Sequence, residues 1–304
     1  MQVPLLYLVM LRSFYGMLNK NIETFIACDS SYDESHIVLF GAPFDGTTSF
    51  RPGTRFGPAE IRHQSFGLET YSPYQNVDLS DLKVFDCGDL DLCYGNPEKV
   101  LEDIYKHTFQ IIGDNKLPFM VGGEHLVTLA CVRALYQKYN NLYMIHLDAH
   151  ADLRDEYLGE KLSHACVIRR CHEILGDGQI FQLGIRSGDR QEFDWQLQGH
   201  TYMNRFNFST LSYVIEQVQG VPVYLTVDLD VLDPSVFPGT GTPEGGGVTF
   251  DELRETVTAL CTELFVVGCD VNELSPVYDA SGVSTAVAGK IIREMLIAIG
   301  KDVK

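Results

Sequence analysis

The sequence predicts an α/β domain built on a parallel sheet that is covered by helices on both faces. Three observations carry this expectation. Short apolar runs of strand length alternate with longer helical patterns, the order that produces parallel strands joined by helical crossovers. Several of the apolar runs end in polar or glycine-rich turns. The strongest polar clusters stand at those carboxyl ends, where open α/β sheets place their sites.

Taken along the chain, the strand-like runs are HIVLFGAPFD (36–45), LKVFDCGDLD (82–91), LPFMVGGEH (117–125), LYMIHLDAHAD (142–152), QIFQLGIRS (179–187), PVYLTVDLDVLD (222–233) and LFVVGCDVNELSP (264–276). Each is brief, rich in branched and aromatic residues, and closed by Gly, Asp, Asn or Pro. Helical patterns fall between them at PEKVLEDIYKHTFQII (97–112), LVTLACVRALYQKY (126–139), FDELRETVTALCTEL (250–264) and GKIIREMLIAIG (289–300). No low-complexity linker and no internal repeat interrupts this order, so residues 17–304 are expected to form one domain. VPLLYLVML near the start is too short to span a membrane and lacks a basic flank. MLNKNIETF, from Met17, reads as an ordinary polar start, so residues 1–16 are expected to be an N-terminal extension, with an extra edge strand as the competing reading.

At 304 residues and 45% hydrophobic content the chain can bury a large core. Its formal net charge of −18, with no long basic run, makes nucleic acid and anionic membrane surfaces poor partners and weakly favours a small cationic ligand. Eight cysteines without a CxxC pair suit reduced thiols in the cytoplasm. Cys166 and His172 belong to no nucleophile pattern.

HLDAHADLRD, at 146–155, carries His146, Asp148, His150 and Asp152 at every second position, which in a strand would place them on one face. The preceding NLYMI reads as a buried strand, and burying two carboxylates costs several kcal/mol each unless a cation compensates. His125 ends another strand in GGEH, and Asp228 and Asp230 end a third in TVDLD. Fully extended, Asp148 and Asp152 would lie about 13 Å apart at ~3.3 Å per residue, too far for one ion unless the chain curls. Two ions ~3.5–4 Å apart relax that demand. Four aspartates also balance two divalent ions, and oxygen-rich ligation without thiolates favours Mn²⁺ over Zn²⁺. His146 lies one step further back and reads as a core or supporting histidine.

GGEH, DAHAD and TVDLDVLDPSVFPGTGTPEGGG together resemble the ureohydrolase family, which includes arginases and agmatinases; RPGTRFGPAEIR and NELSPVYD resemble further family segments. The resemblance runs from about residue 36 to the C-terminus. It implies a three-layer α/β/α fold with an eight-stranded parallel sheet, two Mn²⁺ ions per chain and a homotrimer or homohexamer. It implies His125, Asp148, Asp152 and Asp228 as ligands of one ion and Asp148, His150, Asp228 and Asp230 as ligands of the other. The expected reaction is hydrolysis of a guanidino group, with Asp152 relaying a proton. By the same resemblance, His164 in KLSHACVIRR shuttles protons and Glu273 in NELSP pairs with the guanidinium.

After DAHAD the chain reads LRDEYLGEKLSHA, with no asparagine to bind an α-carboxylate and with acidic Asp155, Glu156 and Glu160. Agmatine, giving putrescine and urea, is therefore the expected substrate. Guanidinobutyrate, formiminoglutamate and arginine are the alternatives within the family; an amide deacetylase and a non-catalytic paralogue are those outside it. Leu126 after GGEH and PEGGG in place of PEPGG depart from the usual family pattern. GTGTPEGGG lacks the Lys-Ser or Lys-Thr of a phosphate loop and is expected to shape the pocket rim.

Overall fold

The computed structural model describes residues 23–301; the extension expected over residues 1–16 lies outside them. The strands are β1 (Ile37–Ala42), the two-residue strands β2 (Tyr71–Ser72) and β3 (Val77–Asp78), β4 (Val84–Asp89), β5 (Leu117–Gly122), β6 (Tyr143–Leu147), β7 (Ile180–Ile185), β8 (Tyr202–Arg205), β9 (Pro222–Asp228) and β10 (Phe265–Asn272). Apart from the β2–β3 hairpin they form one eight-stranded sheet in the order β4-β1-β5-β10-β9-β6-β7-β8. Every pairing in it is parallel.

Helices cover both faces: α1 (Gly57–Ser65), α2 (Pro97–Gly113), α3 (Thr128–Lys138), α4 (Val167–Leu175), α5 (Arg190–Trp195), α6 (Leu211–Gln217), α7 (Phe250–Glu263) and α8 (Val283–Gly300). Alternate side chains of each strand feed two separate cores. Ile37, Leu39, Phe119, Val121 and Leu225 pack with α1, α6, α7 and α8. Val38, Phe40, Met120, Met144 and Tyr224 pack with α2, α3 and α4. A sheet covered on both faces needs apolar residues at successive positions, which is why its strands are legible as unbroken apolar runs. The result is the expected three-layer α/β/α architecture.

One expectation is corrected, and one strand of the expected eight lacks a sequence signal. β6 stops at Leu147, so the alternating polar residues of 148–152 leave the strand instead of sharing one of its faces. The eighth strand, β8, has no matching apolar run: it is a four-residue edge strand of sequence YMNR, half-buried at most. Register then positions the site. Val271 of β10 faces Val121 of β5, Asn272 faces Asp228 of β9, and Leu147 of β6 faces Val227. The carboxyl ends of the four central strands therefore finish side by side.

Candidate active site

Backbone geometry at these strand ends explains the local sequence. A Cβ on Gly122 would lie 1.8 Å from Asn272 Oδ1, and one on Gly123 would lie 2.0 Å from the Phe44 carbonyl oxygen. Only glycines let β5 pass so close to its neighbours and deliver His125, and that is the physical content of GGEH. Asp152 (φ 52°) and Glu273 (φ 67°) both occupy the left-handed region, which side chains resist and which concentrates at working sites. The turn at Asp152 is the curl that a fully extended DAHAD lacks.

The curl brings the predicted groups together. His125 Nδ1 stands 3.1 Å from Asp148 Oδ2, 3.4 Å from Asp152 Oδ2 and 3.3 Å from Asp228 Oδ2. His150 Nδ1 stands 2.9 Å from Asp230 Oδ2 and 3.6 Å from Asp148 Oδ1. Two clusters of possible ligands, His125 and His146 with Asp148 and Asp152, and His150 with Asp148 and Asp230, thus share Asp148. His146 does what a supporting histidine should: Gln182 donates to its Nδ1 at 3.1 Å, and its Nε2 lies 2.7 Å from Asp148 Oδ2.

The donor set fits divalent cations. His125 Nδ1 is fully buried and makes no hydrogen bond, although three carboxylates surround it. Burial alone disfavours a charged imidazole, yet the carboxylates of Asp148, Asp152 and Asp228 hold His125 well above the usual histidine range. Burial likewise opposes charge on His150, and Asp230 and Asp148 overcome it. Burial, reinforced by Asp230 and Asp148, raises the Asp228 carboxyl well above the usual range. Close-packed buried carboxylates with converging imidazoles call for positive charge between them, and a hard oxygen-rich set of this kind suits Mn²⁺ or Mg²⁺ better than thiophilic ions.

A cavity of about 240 Å³ opens over these groups and is also lined by His164, Glu273, Arg154 and Asp189. Glu273 Oε1 accepts from the His125 amide at 2.8 Å. Burial and the nearby Glu124 push its carboxyl well up. His164 Nε2 lies 3.0 Å from Ser49 Oγ. Burial, with His150 and His125 nearby, lowers His164 to about 4 and so keeps the ring neutral near pH 7. The rim segment after Asp230 is where expected: Thr242 Oγ1 donates to Asp230 Oδ2 at 3.2 Å.

Several participants carry no sequence signal of their own. Glu124 accepts from Thr47 N at 2.9 Å, Thr47 Oγ1 at 2.5 Å and Thr48 Oγ1 at 3.1 Å, and so anchors the segment that brings Ser49 to His164. The loop acids are exposed charges. Asp155, Glu156 and Glu160 do not line the cavity, and Asp155 is paired with Arg170 at 2.8 Å. The acidic wall is built instead by Asp189 and Glu192, which face Arg154 at 2.9 Å and 3.6 Å. In the sequence they form only a helix-capping box, Asp189 with Glu192.

Residues 35–298 match the model of the arginase family. An agmatinase of Bacillus subtilis (strain 168) is 44% identical over 281 residues, covering 92% of this chain and 97% of the relative. A guanidinobutyrase of Pseudomonas aeruginosa is 35% identical over 279 residues, covering 88% of this chain and 87% of that protein. A solved structure from Clostridium difficile has a TM-score of 0.88 and 50% identity, covering 90% of this chain and all of its own.

Proposed function

The chain belongs to the arginase family as an agmatinase-like ureohydrolase, and from that premise we propose that residues 17–304 form one catalytic domain that hydrolyses agmatine to putrescine and urea with two Mn²⁺ ions. The carrying observation is the pair of imidazole–carboxylate clusters sharing the buried Asp148 at the floor of the cavity. In this reading His125, Asp148, Asp152 and Asp228 hold one ion, and Asp148, His150, Asp228 and Asp230 hold the other. The metal pair, when bound, supplies a water acidic enough to attack near neutral pH.

The protein's own groups do the remainder. Glu273 orients the guanidinium by accepting its N–H groups, and the His125 amide fixes the carboxylate for that role. As the C–O bond forms, Asp152 takes the proton released by the water and passes it to the departing amine nitrogen when the C–N bond breaks. His164 Nε2, beside Ser49 Oγ, carries from solvent the further proton that the released amine takes up. The Arg154–Asp189–Glu192 wall carries more acid than base and so suits an amine tail. Agmatinase relatives at 44% identity support this substrate.

A second reading, guanidinobutyrate, rests on Arg154, which lines the cavity and could pair with a carboxylate. A cytoplasmic location is part of this reading, supported by eight unpaired thiols, and the assembly we infer is the trimer or hexamer that the resemblance implies. Among the described residues no helix is long and apolar enough to cross a membrane. Urea release from agmatine, guanidinobutyrate and arginine, and formamide release from formiminoglutamate, measured with Mn²⁺ and after chelation, test the proposal. Agmatine should be the best substrate, and chelation should abolish activity until Mn²⁺ is restored; full activity after verified metal removal would refute the metal requirement.

A further inference from the structure

Away from the cavity, one carboxylate sits between two imidazoles. His172 Nε2 and His200 Nδ1 lie 2.7 Å and 2.6 Å from Asp177 Oδ1. The backbone is built for this meeting. Gly176 N donates to the His172 carbonyl at 2.8 Å, and Gly178 N donates to the His200 carbonyl at 3.1 Å. The Gly-Asp-Gly turn is therefore tied at each end to the residue whose ring Asp177 meets. Gly176 (φ 93°) and Gly178 (φ 75°) take conformations that a residue with a side chain would resist.

Packing fixes the rings as well. The Trp195 indole stacks on His200 with centroids 4.3 Å apart and planes 15° apart, and it meets His172 edge-on at 4.7 Å. All three donor atoms lie within 4.8 Å of one another.

We propose that His172, Asp177 and His200 form a second, surface site for a divalent transition-metal ion of the zinc, nickel and copper group. Two imidazole nitrogens and one carboxylate oxygen are a donor mix for borderline cations, in contrast to the carboxylate-rich centre under the cavity. Three protein ligands leave room for water. Donors at about 2.1 Å from such an ion stand about 3.4 Å apart in a tetrahedron, so the side chains need to open by less than about 1 Å. Asp177 is largely exposed and free to make that adjustment. Arg169, whose guanidinium lies 3.8 Å from the Trp195 ring centre, opposes the cation and moderates its affinity. The bound ion ties the last turn of α4 to the turn following α5, the helix whose cap residues Asp189 and Glu192 line the cavity.

Trp195 is the chain's single tryptophan, so its emission reports on this site alone. The intact protein, kept in Mn²⁺, is titrated with Ni²⁺. Saturable quenching is expected, complete at one added ion per chain, reversed by excess non-quenching Zn²⁺ and unaccompanied by loss of Mn²⁺. Loss of even an outer hydrogen-bond partner costs metal sites about tenfold or more, so His172→Ala and Asp177→Asn should each weaken the Ni²⁺ response at least about tenfold while urea production is retained. Asp177→Asn preserves size and hydrogen bonding, which guards against a folding artefact. Absence of quenching, quenching that follows Mn²⁺ release, or a wild-type titration in either variant would overturn the site and leave a hydrogen-bonded clamp.

Discussion

Thr226 Oγ1 lies 2.9 Å from His125 Nε2 and gives its own hydrogen to Asp270 Oδ1 at 2.5 Å. With that hydrogen committed, the threonine oxygen can only accept, so Nε2 carries a proton and Nδ1 is the nitrogen turned toward the carboxylates. Asp270 is fully buried and also accepts from Thr128 Oγ1, Tyr224 OH and Asn272 Nδ2, which leaves the relay no alternative arrangement. Thr226→Val keeps the side-chain shape and removes the acceptor. It should weaken Mn²⁺ binding by about 10–100-fold, the usual effect of losing a hydrogen bond behind a metal ligand. Competition with a chelator measures this, and unchanged affinity would reject the relay.

His164 should separate proton handling from ligation. Its Nε2 contacts Ser49 Oγ, and its amide donates to Thr47 Oγ1 at 3.1 Å. His164→Ala should lower kcat by about a hundredfold or more, the range for a positioned acid–base group. Metal content should stay at the wild-type level, and added imidazole should restore part of the rate. Loss of metal in this variant would reassign the residue to the binding site.

What the sequence disclosed follows a physical line. Polar residues closing apolar runs stand out because burying them is costly, and His125, Asp148, His150, Asp152, Asp228 and Asp230 were visible for that reason. The turn at Asp152 was hidden, since a left-handed aspartate looks like any other and only the packed strand ends impose it. Thr47 and Glu124 are 77 positions apart, and Thr226 and Asp270 are 44 apart. Contacts at such separations leave no local pattern. Asp189 and Glu192 are local but ambiguous, because a capping box is ordinary helix chemistry, and their second face toward Arg154 appears only in three dimensions.

Asp279 gives the fold an acid-sensitive joint. The first helical turn of α8 starts from Gly282, which offers no side-chain acceptor. Asp279 compensates by accepting from Ser281 N at 3.0 Å, Ser284 N at 2.7 Å and both hydroxyls. Burial works to raise its pKa, but these hydrogen bonds prevail and bring it from 3.8 down to about 2. A folded-state pKa below the unfolded one stabilises the protein above about 3.8, and that stabilisation fades as pH falls through about 2. Asp279→Ala should cost ~1 kcal/mol near neutral pH, and its difference from wild type should shrink below that upper value. Urea denaturation at stepped pH tests it; a difference that stays constant to the lowest pH would contradict the assignment.

Arg154 and its neighbours are expected to set substrate choice. Its guanidinium meets Asp189 Oδ2 at 2.9 Å and Glu192 Oε2 at 3.6 Å, and all three residues line the cavity. Two carboxylates against one guanidinium leave this wall negative, which favours the amine of agmatine and opposes a carboxylate. The guanidinium end is common to agmatine, arginine and guanidinobutyrate, so Glu273 and the metal ligands cannot tell them apart. We expect kcat/KM for agmatine to exceed that for arginine by at least about a hundredfold, roughly 3 kcal/mol at the transition state. Asp189→Asn is the informative variant. Asparagine still caps α5, replacing the bond from Glu192 N at 3.0 Å, while one of the two carboxylates facing Arg154 is gone. With Glu192 still facing Arg154, the wall loses its net negative charge and no longer repels a carboxylate, narrowing the preference for agmatine over guanidinobutyrate by about tenfold, or ~1.4 kcal/mol. Parallel assays at one pH in saturating Mn²⁺ measure both ratios. An unchanged ratio in Asp189→Asn would remove Arg154 from specificity, and comparable constants for agmatine and arginine would overturn the substrate while leaving the family membership intact.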